Sequence, residues 1–270
     1  MIIIGEKING SIPSTAKAIA ERNETFIREL AKKQTEFGAA YIDINAGTRP
    51  ELERETLRWL MDLTQDTVDT PLCIDSSDVD VIIEMLPHAK RPGMINSVSE
   101  EHNKCERLMP KIADTEWKII ALTCDASGIP ADAKDKFKIA STIIDKAASY
   151  GITQSRLFID PLVMTIGSVQ TSFLSFNEAV KMIKDKYPDV HITSGLSNIS
   201  HGMPFRKMIN MSFLILAMAA GMDSAVMDPT SADMRAALYT TRMLMGQDMF
   251  CMEFIEAFRE GIIGKSTKAD

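Results

Sequence analysis

Seven polar residues, Asp43, Asn45, Asp75, Asn96, Thr123, Asp160 and Asp228, each close a short apolar run in this sequence. An ionised carboxylate accepts two parallel N–H bonds from a planar amino-amide edge, and an asparagine donates and accepts at once. Converging on one place, such residues suit a neutral or cationic ligand rich in N–H donors, such as a 2-amino-4-oxo pyrimidine ring. The same carboxylates are also ligands for a hard metal ion, although no H-x-H or H-E-x-x-H spacing accompanies them. Each residue taken singly has a plain role too, because Asp and Asn end strands as turn formers and helix N-caps. Asp228, ahead of Pro229-Thr230 and a helix, fits that role as well as a binding one.

A second polar group is the stretch Gly195-Leu196-Ser197-Asn198-Ile199-Ser200-His201-Gly202. It places an Asn, two Ser and a His on a glycine-bounded loop after an apolar run, and loops on rigid scaffolds are where binding and catalysis concentrate. No G-x-S-x-G elbow is present, so the serines carry no nucleophile signal. No expected strand ends in a Lys, which disfavours Schiff-base chemistry, and the first turn lacks the dinucleotide fingerprint G-x-G-x-x-G.

The elements that must carry these residues follow a repeating pattern. Strands are expected at residues 2–4, 41–45, 72–75, 93–96, 118–123, 157–161, 190–193 and 225–228, with a polar loop at 5–10 after the first. Helical spacing falls between them, as in Phe26, Leu30 and Phe37, or Phe137, Ala140, Ile144 and Ala147. A last helical region runs from about Ser231 towards the C-terminus. Strands alternating with helices argue for parallel βαβ units, and eight of them predict an α/β protein with a single-domain (β/α)8 TIM barrel. Residues 1–270 form that domain, with about 246–270 as a C-terminal helical extension. A doubly wound open sheet is the alternative. In a closed barrel all strand C-termini share one mouth, where barrel active sites are built.

The bulk composition narrows the partners. Acidic residues outnumber basic ones 37 to 30, which gives no reason to expect nucleic acid as a partner. No apolar stretch is long enough to span a bilayer, and the N-terminus does not read as a signal peptide. Cys73, Cys105, Cys124 and Cys251 are too scattered for a disulfide framework or structural zinc, so buried free thiols in a reducing cytoplasm are expected. The 18 methionines crowd after residue 203, as core filler, a subunit interface or a flexible rim for a docking partner.

Six segments carry a resemblance: Ile4-Gly5-Glu6-Lys7-Ile8-Asn9-Gly10, Asp43-Ile44-Asn45, Cys73-Ile74-Asp75-Ser76, Met94-Ile95-Asn96-Ser97, Phe158-Ile159-Asp160-Pro161-Leu162 and Gly195-Leu196-Ser197-Asn198-Ile199-Ser200. In these the chain resembles the pterin-binding (β/α)8 barrel methyltransferases, particularly the methyltetrahydrofolate:corrinoid protein methyltransferases. The resemblance implies that Asp75, Asn96 and Asp160 hold the pterin's amino-oxo edge and that Asn198, the catalytic candidate, stands beside N5 of the folate. It adds Asp43, Glu6, Asn9, Gly195 and Ser197 to the cofactor-binding set. His201 and Arg206 are placed near the benzoyl portion; each also reads as an ordinary solvated residue.

The implied chemistry is methyl transfer between N5 of tetrahydrofolate (as 5-methyltetrahydrofolate in the opposite direction) and the cobalt of a corrinoid. The corrinoid arrives on a separate corrinoid protein, because no second domain is available to hold it. Asp189-Val190-His191-Ile192-Thr193-Ser194-Gly195 looks like a corrinoid-binding D-x-H-x-x-G, but its glycine comes one place too late. No resident metal is expected. A homodimer is implied, while the direction of transfer and the original methyl donor are left open. A non-catalytic folate-binding barrel and a metal-dependent barrel lyase are the alternatives.

Overall fold

The computed structural model describes residues 1–264. Its parallel strands are β1 (Ile2–Asn9), β2 (Tyr41–Asn45), β3 (Leu72–Asp75), β4 (Met94–Glu100), β5 (Lys118–Asp125), β6 (Leu157–Asp160), β7 (His191–Ile192) and β8 (Ser224–Met227). Sequence neighbours pair throughout, and β1 also pairs with β8. The seam between β7 and β8 is joined by bonds from Asp223 N to Ile192 O (3.2 Å) and from Val226 N to Ser194 O (3.0 Å). The sheet is therefore a (β/α)8 barrel, and the open doubly wound sheet is set aside.

Around it lie α1 (Pro13–Ala20), α2 (Glu24–Glu36), α3 (Pro50–Gln65), α4 (Val79–Met85), α5 (Lys104–Ile112), α6 (Ala133–Ser149), α7 (Ser172–Lys186), α8 (Arg206–Ala220), α9 (Ala232–Leu244) and α10 (Met252–Arg259). The strands sort their side chains by the period of two. One phase, with Ile42, Ile74, Ile95, Ile119 and Ile159, packs against the helices. The other fills the barrel with Ile4, Cys73, Met94, Ile120 and Phe158. Two residues further along those inner columns stand Glu6, Asp75, Asn96, Leu122 and Asp160. The polar layer thus rests directly on an apolar plug. Thr123 is in the phase of Ile119 and Ala121, is wholly buried and has no partner for its hydroxyl. It does not belong to the mouth.

Several expectations need correction. β1 runs on to Asn9, with a shift of register between Gly5 and Ile8, so residues 5–9 are strand and not a polar loop. β7 is only two residues long, although backbone bonding continues to a bridge between Gly195 and Val226. The C-terminal helical region breaks at Gly246 (φ 71°) into α9 and α10, and residues 265–270 of the expected extension lie outside the described residues. In α5 the buried Cys105, Leu108, Met109 and Ile112 have helical spacing, with Pro110 inside the helix. Cys73, Cys105 and Cys124 are buried thiols, whereas Cys251 is partly exposed. Among the described residues no helix is long and apolar enough to cross a membrane.

Candidate active site

The floor of the mouth is a carboxylate pair braced by two amides. Asp43, at 1% exposure, accepts from Asn96 Nδ2 at 3.2 Å. Asp75 accepts from Asn45 Nδ2 at 2.9 Å. Burial first, and then the neighbouring Asp75, raise Asp43 well above the ordinary carboxylate range. Asp75 is raised by burial to about 6. Two buried carboxyls in contact do not both ionise readily. The larger rise falls on Asp43, so of the pair Asp75 is the readier to ionise and to face a ligand as the anion. Asn96 gives one amide N–H to Asp43 and keeps its other N–H and its carbonyl for a ligand.

Asp160 closes the opposite side. Burial raises it to about 6, against the pull of two backbone N–H groups, Leu162 and Gly195, and of the Lys136 charge. Its Oδ1 receives Leu162 N at 2.8 Å. Gly195 therefore links β6 to the loop after β7, a short 3-10 turn over Leu196–Ser200. A Cβ on Gly195 would lie 3.1 Å from Asn198 Nδ2, so the missing side chain is what lets the Asn198 amide fold back over the strand end. Arg206 braces the same turn, with Nε on Ser200 Oγ (3.1 Å) and Nη2 on Ser197 O (2.9 Å). The His201 carbonyl accepts from Thr165 Oγ1 at 2.6 Å, while the residue itself is exposed.

The third wall comes from β1 and β8. Glu6 is raised to about 7, first by burial and then by Asp228. Asp228 pairs with Lys7 Nζ at 3.2 Å and also binds Thr230 N at 2.9 Å, so its turn-forming and mouth-lining roles coexist. Lys7 contradicts the expectation that no strand brings a lysine to its C-terminal end. The irregularity in β1 explains its position. Gln34 Oε1 on α2 takes the Lys7 N–H at 2.9 Å, and a Cβ on Gly5 would sit 2.5 Å from that oxygen. Asn9 Oδ1 accepts from Ser11 N at 2.8 Å, which commits that side chain to the turn after β1.

Direct bonds thus join Asn96 to Asp43 and Asn45 to Asp75, connect Asp160 to Leu162 and Gly195, and join Arg206 to the Ser197 carbonyl. Asn9 and His201 do not join that network. His191 stacks on Phe158 of the apolar plug (centroids 4.4 Å apart) and bonds Asp223 at 3.0 Å, on the far side of the plug from the mouth. Lys7, Gln34 and Lys136 escaped sequence reading. Gly5 beside Gln34 gave no local signal, and Lys136 sits in what reads as an amphipathic helix. Among the described residues no group of three His, Cys, Asp or Glu side chains is arranged to hold a metal.

Comparison with known proteins agrees with this geometry. Dihydropteroate synthase from Thermus thermophilus superimposes with a TM-score of 0.68 at 17% identity, covering 90% of this chain and 94% of that one. The enzyme from Xanthomonas albilineans, in complex with 7,8-dihydropteroate, gives 0.63 at 17%, covering 90% and 92%. At such identities the likeness concerns the fold. The methylcorrinoid:tetrahydrofolate methyltransferase of Eubacterium limosum is 49% identical over 266 residues, 98% of each chain. The methionine synthase of Mycobacterium tuberculosis is 30% identical over 84% of this chain, which spans 20% of that longer protein. The pterin binding enzyme family matches residues 11–228. That match runs from the turn after β1 to the carboxylate after β8, and a relative nearly half identical spans the whole length, so the chain belongs to the pterin binding enzyme family.

Proposed function

We propose that the protein transfers a methyl group between N5 of tetrahydrofolate and the cobalt of a corrinoid carried by a separate protein. The near full-length likeness to a methylcorrinoid:tetrahydrofolate methyltransferase carries this reading, and the donor set of the mouth supports it. Asp75 and Asp160 are anions bonded to an amide and to backbone N–H groups, with capacity left for the N–H groups of a pterin edge. Asn96 reads the mixed part of that edge. Towards folate, the cobalt–carbon bond breaks with both electrons kept by cobalt, the N5 lone pair takes the methyl, and the N5 proton leaves. Positive charge therefore develops at N5 in either direction.

Asn198 answers that charge. Its carboxamide does not titrate, but a fixed dipole aimed at developing charge lowers the barrier without reorganising. The bracing of its turn by Arg206 and by Gly195 supports such a fixed placement. Orientation supplies the rest, holding the methyl between two large reactants. Glu6, Asn9, Ser197, His201 and Arg206 line the route of the folate out of the barrel. The whole chain serves as one barrel domain, with the helices beyond about residue 246 as an extension. Buried thiols fit a reducing, cytoplasmic setting.

The decisive assay mixes the protein with tetrahydrofolate and methylcob(III)alamin and follows the cobalt spectrum. Demethylation that requires Asn198 is expected. Tetrahydrofolate binding with an unchanged cobalt spectrum, both with the free corrinoid and with a methylated corrinoid protein, would leave only a folate-binding barrel.

A further inference from the structure

Lys136, on α6 outside the mouth, is 2% exposed, a rare state for a lysine and one that calls for a reason. Its ammonium donates to Leu162 O at 2.7 Å. Leu162 in turn donates its N–H to Asp160 Oδ1 at 2.8 Å. That leucine sits at φ 53°, a conformation that a branched residue adopts only when its surroundings hold it. One residue in an unfavourable turn is thus gripped at its carbonyl by Lys136 and at its N–H by Asp160. The carboxylate whose charge Lys136 feels most is Asp160, followed by Asp132 at the start of α6. Facing Asp160 from the other elements are the N–H groups of Leu162 and Gly195.

We propose that Lys136 is a positioning residue for folate binding: from behind β6 it supplies the countercharge of Asp160 and fixes the turn that aims that carboxylate at the ligand. The proposal rests on the folate reading of the mouth. Asp160 holds its two N–H donors most strongly as the anion, and burial opposes the anion by raising it to about 6. Burial also lowers Lys136, to about 8, so near neutral pH it remains mostly an ammonium and opposes that rise. A lysine that merely filled space or tied down a loop would change affinity equally at every pH. A countercharge changes the pH at which affinity develops.

Calorimetric titration of tetrahydrofolate under anaerobic conditions, between pH 6 and pH 9, separates these cases. Comparing variants cancels the ligand's own titration. Lys136→Met is expected to bind about threefold more weakly at pH 6.5, the effect there of a one-unit displacement of a carboxyl that titrates at about 6, with the deficit closing towards pH 9. Lys136→Arg should follow the wild type. In an Asp160→Asn background, Lys136→Met should cause no pH-dependent loss, because no anion is left to support. Lys136→Gln replaces the Met variant if that protein does not fold. A loss of constant size across the pH range, or one that persists with Asn at 160, overturns the proposal. Wild-type protein that binds no tetrahydrofolate at any pH overturns the functional reading first, and this proposal with it.

Discussion

At the scale of single residues, the mouth trades stability for a prepared site. Asp75 and Asp160 are raised to about 6 and Glu6 to about 7, in each case chiefly by burial. The folded protein therefore holds protons that the unfolded chain has already released between about pH 4.5 and 7. More protons bound in the fold means that stability falls as pH rises through that window. A two-unit shift in one group corresponds to roughly 3 kcal/mol; summed over the three groups, the part that falls between pH 5 and 7.5 should cost the ligand-free protein on the order of 5 kcal/mol. Thermal melts at the two values check this, and a melting temperature that climbs with pH would contradict it. Asn198 tests the chemistry directly. Asn198→Ala should lower turnover by about 100-fold or more, the usual cost of one lost oxyanion-type donor or its equivalent. Tetrahydrofolate affinity should move by less than about threefold. Equal losses in both would remove its special role at N5.

At the scale of elements, β1 shows how a helix behind the sheet shapes the mouth in front. Gln34 is wholly buried on α2; its oxygen satisfies the Lys7 N–H, while its own Nε2 has no partner. A buried amide nitrogen without a partner costs stability, so the side chain is retained for what its oxygen holds. Gln34→Leu removes the orphan nitrogen and the bond together, so its net effect on stability should stay within about 1 kcal/mol. Freed at Lys7, the strand end that carries Glu6 and Lys7 should lose its geometry, and methyl transfer should fall about tenfold or more. Unchanged activity in a folded Gln34→Leu protein would show that the irregularity is incidental. This element also marks where sequence reading stopped. Asp43, Asp75, Asn96 and Asp160 were legible because a two-residue period carries each from an apolar inner column to the mouth. Thr123 broke the rule: its place at a run's end looked the same, but its phase faces the helices. Lys7 and Gln34 were invisible because their roles depend on a register shift and a contact between elements 27 residues apart. Lys136 was hidden for a similar reason, since its partner Leu162 is 26 residues away.

At the scale of the whole molecule, one side of the barrel carries apolar surface that the described residues leave uncovered. Leu216 on α8 is 51% exposed, Leu244 at the end of α9 77%, and Phe250 before α10 85%. The helices α8 and α9 pack together, as do α9 and α10, so these side chains belong to neighbouring elements. Large exposed apolar side chains gathered on neighbouring elements favour an interaction site over bare solvent, and Met245, Met249 and Met252 among them are methionines of the last quarter of the sequence. A second copy of the chain is the occupant that we propose, because a self-complementary two-fold contact buries the same patch on both partners. The barrel mouth would remain open for the corrinoid protein, with Phe205, at 74% exposure and φ 52°, at its rim. Sedimentation equilibrium should give a dimer for the native protein and a monomer for a Leu216→Asp, Phe250→Asp double variant. The monomeric variant should still bind tetrahydrofolate, since neither residue lines the mouth. Phe205→Asp should instead leave the dimer intact and weaken transfer with the methylated corrinoid protein more than with free methylcob(III)alamin. A native protein that sediments as a monomer at micromolar concentration would rule out self-association as the role of this face. A double variant that stays dimeric would place the dimer contact elsewhere on the barrel.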